Sequence, residues 1–120
     1  MGGITTAGLN VFAAAAGGSV VYPTHIAIGT SGLTFASGQT TLGSEVERNQ
    51  IDTVSYATNE EVLFIANWSP TDISGATVRE VGVFNSGTGG AMSSRNVLTG
   101  SLVFDGEQEL QVQQTYKFFI

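Results

Sequence analysis

The sequence predicts a mainly β protein, an antiparallel β-sandwich or open barrel of six or seven strands with one short N-terminal helix. From residue 47 onward apolar positions recur with a period of two, and turn-forming Gly, Pro, Asn and Asp punctuate the runs. Only residues 5–16 have helix composition, with Thr5 or Thr6 as N-cap and Gly17-Gly18 as the stop. A chain of 120 residues with 42% apolar content suits one domain over residues 1–120, built on a single core.

In the helix, Ile4, Leu9 and Phe12 are expected to pack down, and Ala13 to Ala16 to leave a smooth side. In "YPTHIAIGTSG", Pro23 fixes the entry, Ile26 and Ile28 alternate with His25 and Ala27, and a Gly-Thr-Ser-Gly cluster ends a half-buried strand. Residues 30–45 are rich in Gly, Ser and Thr, and form a long loop anchored by Leu33, Phe35 and Leu42. Ile51, Thr53 and Ser55 then alternate with Asp52, Val54 and Tyr56, and "TNE" turns the chain. Val62, Phe64, Ala66 and Trp68 line one face of the next strand and Leu63 and Ile65 the other, as in a central strand covered on both sides. "SPTDISG" is loop chemistry.

In "TVREVGVFN", alternation puts Arg79, Val81 and Val83 on one face and Val78, Glu80, Gly82 and Phe84 on the other. The adjacent Arg79 and Glu80 therefore point apart and tie the strand to separate neighbours, while Gly82 admits an aromatic or a backbone closely. Strands of about 91–104, interrupted at Gly100, and 110–120 complete the set, with Phe118 and Phe119 directed to opposite faces.

Ten acidic residues against four basic ones give a net charge of −6, and the cations are scattered singly at Arg48, Arg79, Arg95 and Lys117. A nucleic-acid surface needs clustered cations, so no nucleic-acid partner is expected. Charged residues make up 12% of the chain, about half the usual share, so partners are expected to cover part of the surface. With no cysteine, neither a disulfide framework nor a thiolate metal site can form. The N-terminus lacks a basic region, and its longest apolar run, Val11 to Ala16, is too short for a signal sequence or a membrane span; a soluble protein without an encoded address is expected.

No constellation of catalytic residues stands out, so the chain is expected not to be an enzyme and to use no cofactor or metal. His25 lies in a strand with no Gly-x-Ser-x-Gly elbow elsewhere, and reads as a polar-face or interface residue. Asp105 to Glu109 place three carboxylates in a hairpin tip without calcium-loop spacing. Glu45, Glu47 and Asp52 around Arg48 read as a surface ion-pair cluster. Trp68 belongs to the core face of its strand.

Three segments, "THIAIGT" at 24–30, "TTLGSEVER" at 40–48 and "ATVREVGVFN" at 76–85, resemble in order and spacing the small tail-fibre or collar-fibre domain of tailed-bacteriophage virion proteins. The resemblance runs from about Ile4 to the end. It implies a virion structural protein without enzymatic activity, a β-sandwich working in a ring or trimer. Arg79, Glu80, Gly82 and Phe84 fall on the family's arginine, glutamate, glycine and phenylalanine, Glu45 on its loop glutamate, and Thr24 to Gly29 on its first strand. The candidate structural and assembly residues are Arg79, Glu80, Gly82, Phe84, Glu45 and His25.

The chain stops at the end of a strand, without heptads, collagen repeats or a β-helical period to make a shaft. The expectation is therefore an adaptor or fibre-type component of the tail, baseplate or neck, made in the host cytoplasm, homo-oligomeric, with other virion proteins as partners and no membrane. The alternative is a receptor- or glycan-binding module that uses the 30–45 loop and exposed aromatics against a host-surface glycan.

Overall fold

In the computed structural model, which describes residues 2–18, 22–58 and 60–117, two antiparallel sheets face each other. The strands are β1 (Gly2–Ile4), β2 (His25–Gly29), β3 (Glu45–Gln50), β4 (Thr53–Thr58), β5 (Glu61–Trp68), β6 (Thr77–Phe84), β7 (Met92–Val103) and β8 (Leu110–Lys117), with one helix, α1 (Thr6–Ala16). One sheet has the order β1-β7-β6-β2-β3 and the other β4-β5-β8. The chain is thus the mainly β antiparallel sandwich the sequence predicts.

Eight strands are described rather than six or seven, for two reasons. The short β1 precedes the helix and pairs Gly2 with Asn96 and Ile4 with Ser94. The unbroken alternation from residue 47 also conceals a change of sheet: Ile51 N donates to Thr24 O at 2.8 Å, and the next amide, Asp52 N, donates to Ile65 O at 2.8 Å in the other sheet. Alternation reports which residues share a face and says nothing of which strand lies alongside.

The core between the sheets unites Ile26, Ile28, Val78, Val81 and Val83 from the larger sheet with Phe64, Ala66, Trp68, Val112 and Tyr116 from the smaller. Trp68 is buried, as its alternation with Phe64 and Ala66 requires. Tyr116 sits edge-on to both Phe64 and Phe12, with centroids 5.4 and 5.7 Å away, and its hydroxyl is 2.6 Å from the Ser93 and Ser94 hydroxyls. Burial pushes the Tyr116 phenol up from its ordinary range, against the downward pull of those two hydrogen bonds. Both serines reach it because Ser93 is an extra residue in β7, between the pairs Val83–Ser94 and Phe84–Met92.

Thr5 caps α1, accepting from Gly8 N at 3.0 Å and donating to Met92 O. The helix packs on its own subunit through Gly8, where a Cβ would run into the Ser93 backbone, and through Phe12. Leu9 departs from the expected packing face: it is 59% exposed, because the close seat at Gly8 turns it outward. The expected orientation of Phe118 and Phe119, and the end of the expected last strand at 118–120, lie outside the described residues, as does Asn59 of the expected "TNE" turn.

Candidate functional site

The outer face of the larger sheet gathers five of the six residues singled out from the sequence. Along β2, His25 is opposite Phe84 of β6, Ala27 opposite Gly82, and Gly29 opposite Glu80. On β3, Arg48 is opposite Ala27 and Glu45 opposite Gly29, with Val46 as an extra residue between Glu45 and Glu47. That bulge matters, since Glu45 and Arg48 are three apart and would otherwise face opposite ways.

The sixth residue, Arg79, is exposed beside the 30–45 loop, where a Cβ on Gly32 would lie 3.9 Å from its Cδ. It lies across from residues 98–101 of β7, where Val78 pairs with Leu102 but Glu80 with Val97. This irregularity corrects the expected faces: Val78 joins Val81 and Val83 in the core, and the exposed Arg79 side chain makes no ion pair or hydrogen bond among the described residues. The interruption expected at Gly100 is this bulge, within one continuous strand.

Glu80 is the hub. It is fully buried, and its Oε1 accepts from Gly43 N at 2.8 Å and Arg95 Nε at 3.0 Å, while its Oε2 accepts from Ser31 N at 3.0 Å and Ser44 N at 2.8 Å. Burial works to raise its pKa, but the Ser44 and Gly43 amides, Arg95 and the Ser31 amide together hold the carboxyl below the ordinary range. Four donors on two oxygens leave a carboxylate engaged on every side, a geometry suited to fixing the backbone rather than accepting a substrate proton. Gly29 makes room for it, since a Cβ there would lie 2.5 Å from both Glu80 Oε2 and Ser44 O.

Arg95 completes the hub, and sequence reading missed it, recording only an isolated cation. Its Nη1 donates to Leu33 O at 2.9 Å and to Gln39 Oε1 at 3.2 Å, so the Glu80–Arg95 pair holds both arms of the 30–45 loop. The available signal was an arginine placed mid-strand in a chain with only four cations. Of the three expected loop anchors, Leu42 is buried with Ala27, Phe84 and Met92, Phe35 is half-buried, and Leu33 is 61% exposed because its carbonyl rather than its side chain is held. Gly82 admits the closest approach of Leu42: a Cβ there would be 2.8 Å from Leu42 Cδ2 and 3.0 Å from the Phe84 ring.

Arg48 forms a second clamp. Its fork donates to Glu45 at 3.0 and 2.6 Å, its Nη1 donates to Ser86 O and Gly89 O at 2.9 Å each, and its guanidinium carbon lies 3.7 Å from the Phe84 ring centroid. The pair is thus more than a surface ion pair, for it fixes the 86–90 turn, in which Gly89 and Gly90 take positive φ. His25 Nδ1 is 2.8 Å from Thr24 Oγ1, and among the described residues no carboxylate bonds to it. In the acidic hairpin tip, Asp105 Oδ1 accepts from Glu107 N at 3.1 Å and Gln108 Oε1 from Asp105 N at 3.0 Å, so the turn is closed by its own groups.

Elsewhere, a pocket of about 670 Å³ opens between α1, the approach to β2 and the small sheet, with Phe12, Tyr22, Val54, Tyr56 and Phe64 in its walls beside Glu60 and Glu61. Tyr22 and Tyr56 are 65% and 75% exposed. No helix among the described residues is long and apolar enough to cross a membrane.

Compared with known proteins, the chain matches over residues 1–92 the family model described as "Phage tail-collar fibre protein, N-terminal". The match takes in the whole of α1 and β2 to β6, with Glu45, Arg48 and Glu80, while Arg95 and Tyr116 lie beyond it. No curated protein matches the chain.

Proposed function

The chain belongs to the phage tail-collar fibre protein family, and on that premise we propose that it is a non-enzymatic adaptor or fibre-type component that assembles through the surfaces of its sandwich. Membership makes it a structural component of a virion tail that contacts other virion proteins. The finer reading is a homo-oligomer seated in the tail, baseplate or neck.

The observation that supports assembly is the exposure of large apolar side chains, Tyr22, Val54, Tyr56, Leu102 and Val103 among them, in a chain only 12% charged. Two acid–base pairs are turned to internal bracing, Glu80 with Arg95 and Glu45 with Arg48. Light scattering across a concentration series tests the homo-oligomer: a defined multimer is expected, and a strict monomer at all concentrations would sink it.

A second reading rests on Tyr22 and Tyr56. Two exposed aromatic rings beside carboxylates in one pocket suit the apolar face and the hydroxyls of a sugar ring. A glycan array decides between the readings, since specific binding abolished by Tyr56→Ala would favour host recognition over assembly at this surface.

A further inference from the structure

In the three-stranded sheet, of order β4-β5-β8, β8 is an outer edge. β8 pairs with β5 from Trp68–Leu110 to Glu61–Lys117 without a bulge, and with no other strand among the described residues. Natural edges are usually blunted by charge, proline, bulges or shortness, because a row of unpaired amides and carbonyls recruits another strand. The other outer strands follow this rule: β1 has three residues, β3 carries Glu45, Glu47, Arg48 and a bulge, and β4 breaks register after Ser55. "LQVQQTYK" is long and regular, and is uncharged up to its final Lys117.

Beside this edge lies a groove of about 400 Å³, walled by Ile4, Leu9 and Phe12 on the β1–α1 side and by Gln114, Tyr116 and Lys117 on the other. The exposed Leu9 is an apolar wall without a cover there. At the start of the strand the exposed carboxylates of Asp105, Glu107 and Glu109 stand together, while three of the four cations are engaged elsewhere, Arg48 with Glu45, Arg95 with Glu80, and Lys117 with Glu61 at the strand's far end.

We infer that this edge is a strand-addition site: an extended segment of another virion polypeptide, apolar at alternate positions and bearing Lys or Arg at the end that meets the Asp105–Glu109 turn, lies along β8 as a fourth strand of the small sheet. The inference rests on the assembly reading above and names the partner's chemistry. The outward backbone groups of β8 supply the ladder, with the incoming strand displacing the Gln114 Nε2 that caps the Gln113 carbonyl at 3.0 Å; Ile4 and Leu9 receive apolar side chains, and the acidic turn selects a basic end. The one cation on this chain's own β8, Lys117, is already paired with Glu61, so the basic end that meets the acidic turn comes from a separate extended segment.

The test uses the intact chain and, as probe, a synthetic peptide of alternating threonine and valine with two lysines at its C-terminus. Amides within 110–117 should gain hydrogen-exchange protection on titration, and Leu9→Asp, a change at an exposed position, should weaken binding about tenfold by placing a charge against an apolar strand face. Replacing the two lysines by glutamates should weaken binding to the native chain, and Glu107→Lys with Glu109→Lys should reverse that preference. Protection confined to other strands, or binding indifferent to Leu9→Asp, would overturn the inference. In assembled particles, normal incorporation of a folded Leu9→Asp chain would overturn the strand site and leave the assembly reading standing, whereas absence of the native chain from particles would remove the assembly reading itself.

Discussion

Removing the carboxylate of Glu80 is the sharpest perturbation the fold offers. In Glu80→Ala the three loop amides, at Ser31, Gly43 and Ser44, lose their acceptor, but Gly43 and Ser44 are exposed enough for water to replace it. Arg95 cannot be rescued this way. It stays buried and keeps the Leu33 and Gln39 oxygens, and its Nη2 has no hydrogen-bond partner among the described residues even with Glu80 in place. Breaking a buried ion pair from one side costs about 3–5 kcal/mol, a large part of the roughly 5–15 kcal/mol that holds a domain folded. At about 4 °C per kcal/mol for a domain of this size, Tm should fall by roughly 12–20 °C.

Chemical and thermal unfolding measure that loss, and hydrogen exchange localises it, with the Ser31, Gly43 and Ser44 amides speeding up at denaturant levels where the core is intact. The neighbour Arg79→Ala is the control, expected to change stability by no more than about 0.5 kcal/mol because Arg79 is exposed and unpaired among the described residues. Glu80→Leu with Arg95→Met should lose much less than the two single changes summed, since the cost lies in the orphaned charge. A Glu80→Ala loss below about 1 kcal/mol, or unchanged exchange at the three amides, would refute the assignment of Glu80 as the hub of the loop.

The Glu80 pKa is depressed on folding, so its contribution is present above the unfolded carboxylate pKa and is lost as pH falls through the lower folded value. Urea midpoints of the native chain should therefore drop through the acid range below about pH 4.5, and the drop should be shallower in Glu80→Gln. Arg48→Ala should cost about 2 kcal/mol through the loss of the Ser86 and Gly89 carbonyl bonds and the Phe84 contact, and Arg48→Lys should recover only part of it, having no planar fork; denaturant unfolding reads both. Gly8→Ala, which by helix propensity should stabilise by about 1 kcal/mol, should instead destabilise by about 1–3 kcal/mol because the added methyl meets the Ser93 backbone; a raised Tm would show that α1 can shift on β7.

Much of the candidate site was legible, and what was missed follows a pattern. Arg79 and Glu80 were expected to tie the strand to separate neighbours: Glu80 is buried among four donors, while the Arg79 side chain is exposed with no partner among the described residues. Glu80's partner was not legible, since Arg95 is fifteen positions away and reaches Glu80 only through the β6–β7 register. Glu45 and Arg48 looked like surface charges because nothing local reveals the bulge at Val46 that turns them to one side, over Phe84. Leu9 was assigned to the packing face because leucine is apolar; the helix instead seats at Gly8, where the absence of a side chain lets two backbones approach.

By itself the sequence determined a mainly β antiparallel fold, a helix capped at Thr5 or Thr6 and stopped at Gly17-Gly18, and the buried row Phe64, Ala66 and Trp68, while its segments at 24–30, 40–48 and 76–85 carried the resemblance to the collar-fibre family. The fold, the helix and the buried row follow from periodicity, capping and composition, which act over a few residues and are written in local order. The tertiary structure alone decided that the chain changes sheets between Ile51 and Asp52, that extra residues at Val46, Ser93 and opposite Arg79 turn side chains from one face to the other, and that Glu80 and Arg95 meet under the 30–45 loop. Those outcomes depend on which distant strands lie side by side, and that choice is made by the summed burial and hydrogen bonding of the whole sandwich, which no local stretch of sequence contains.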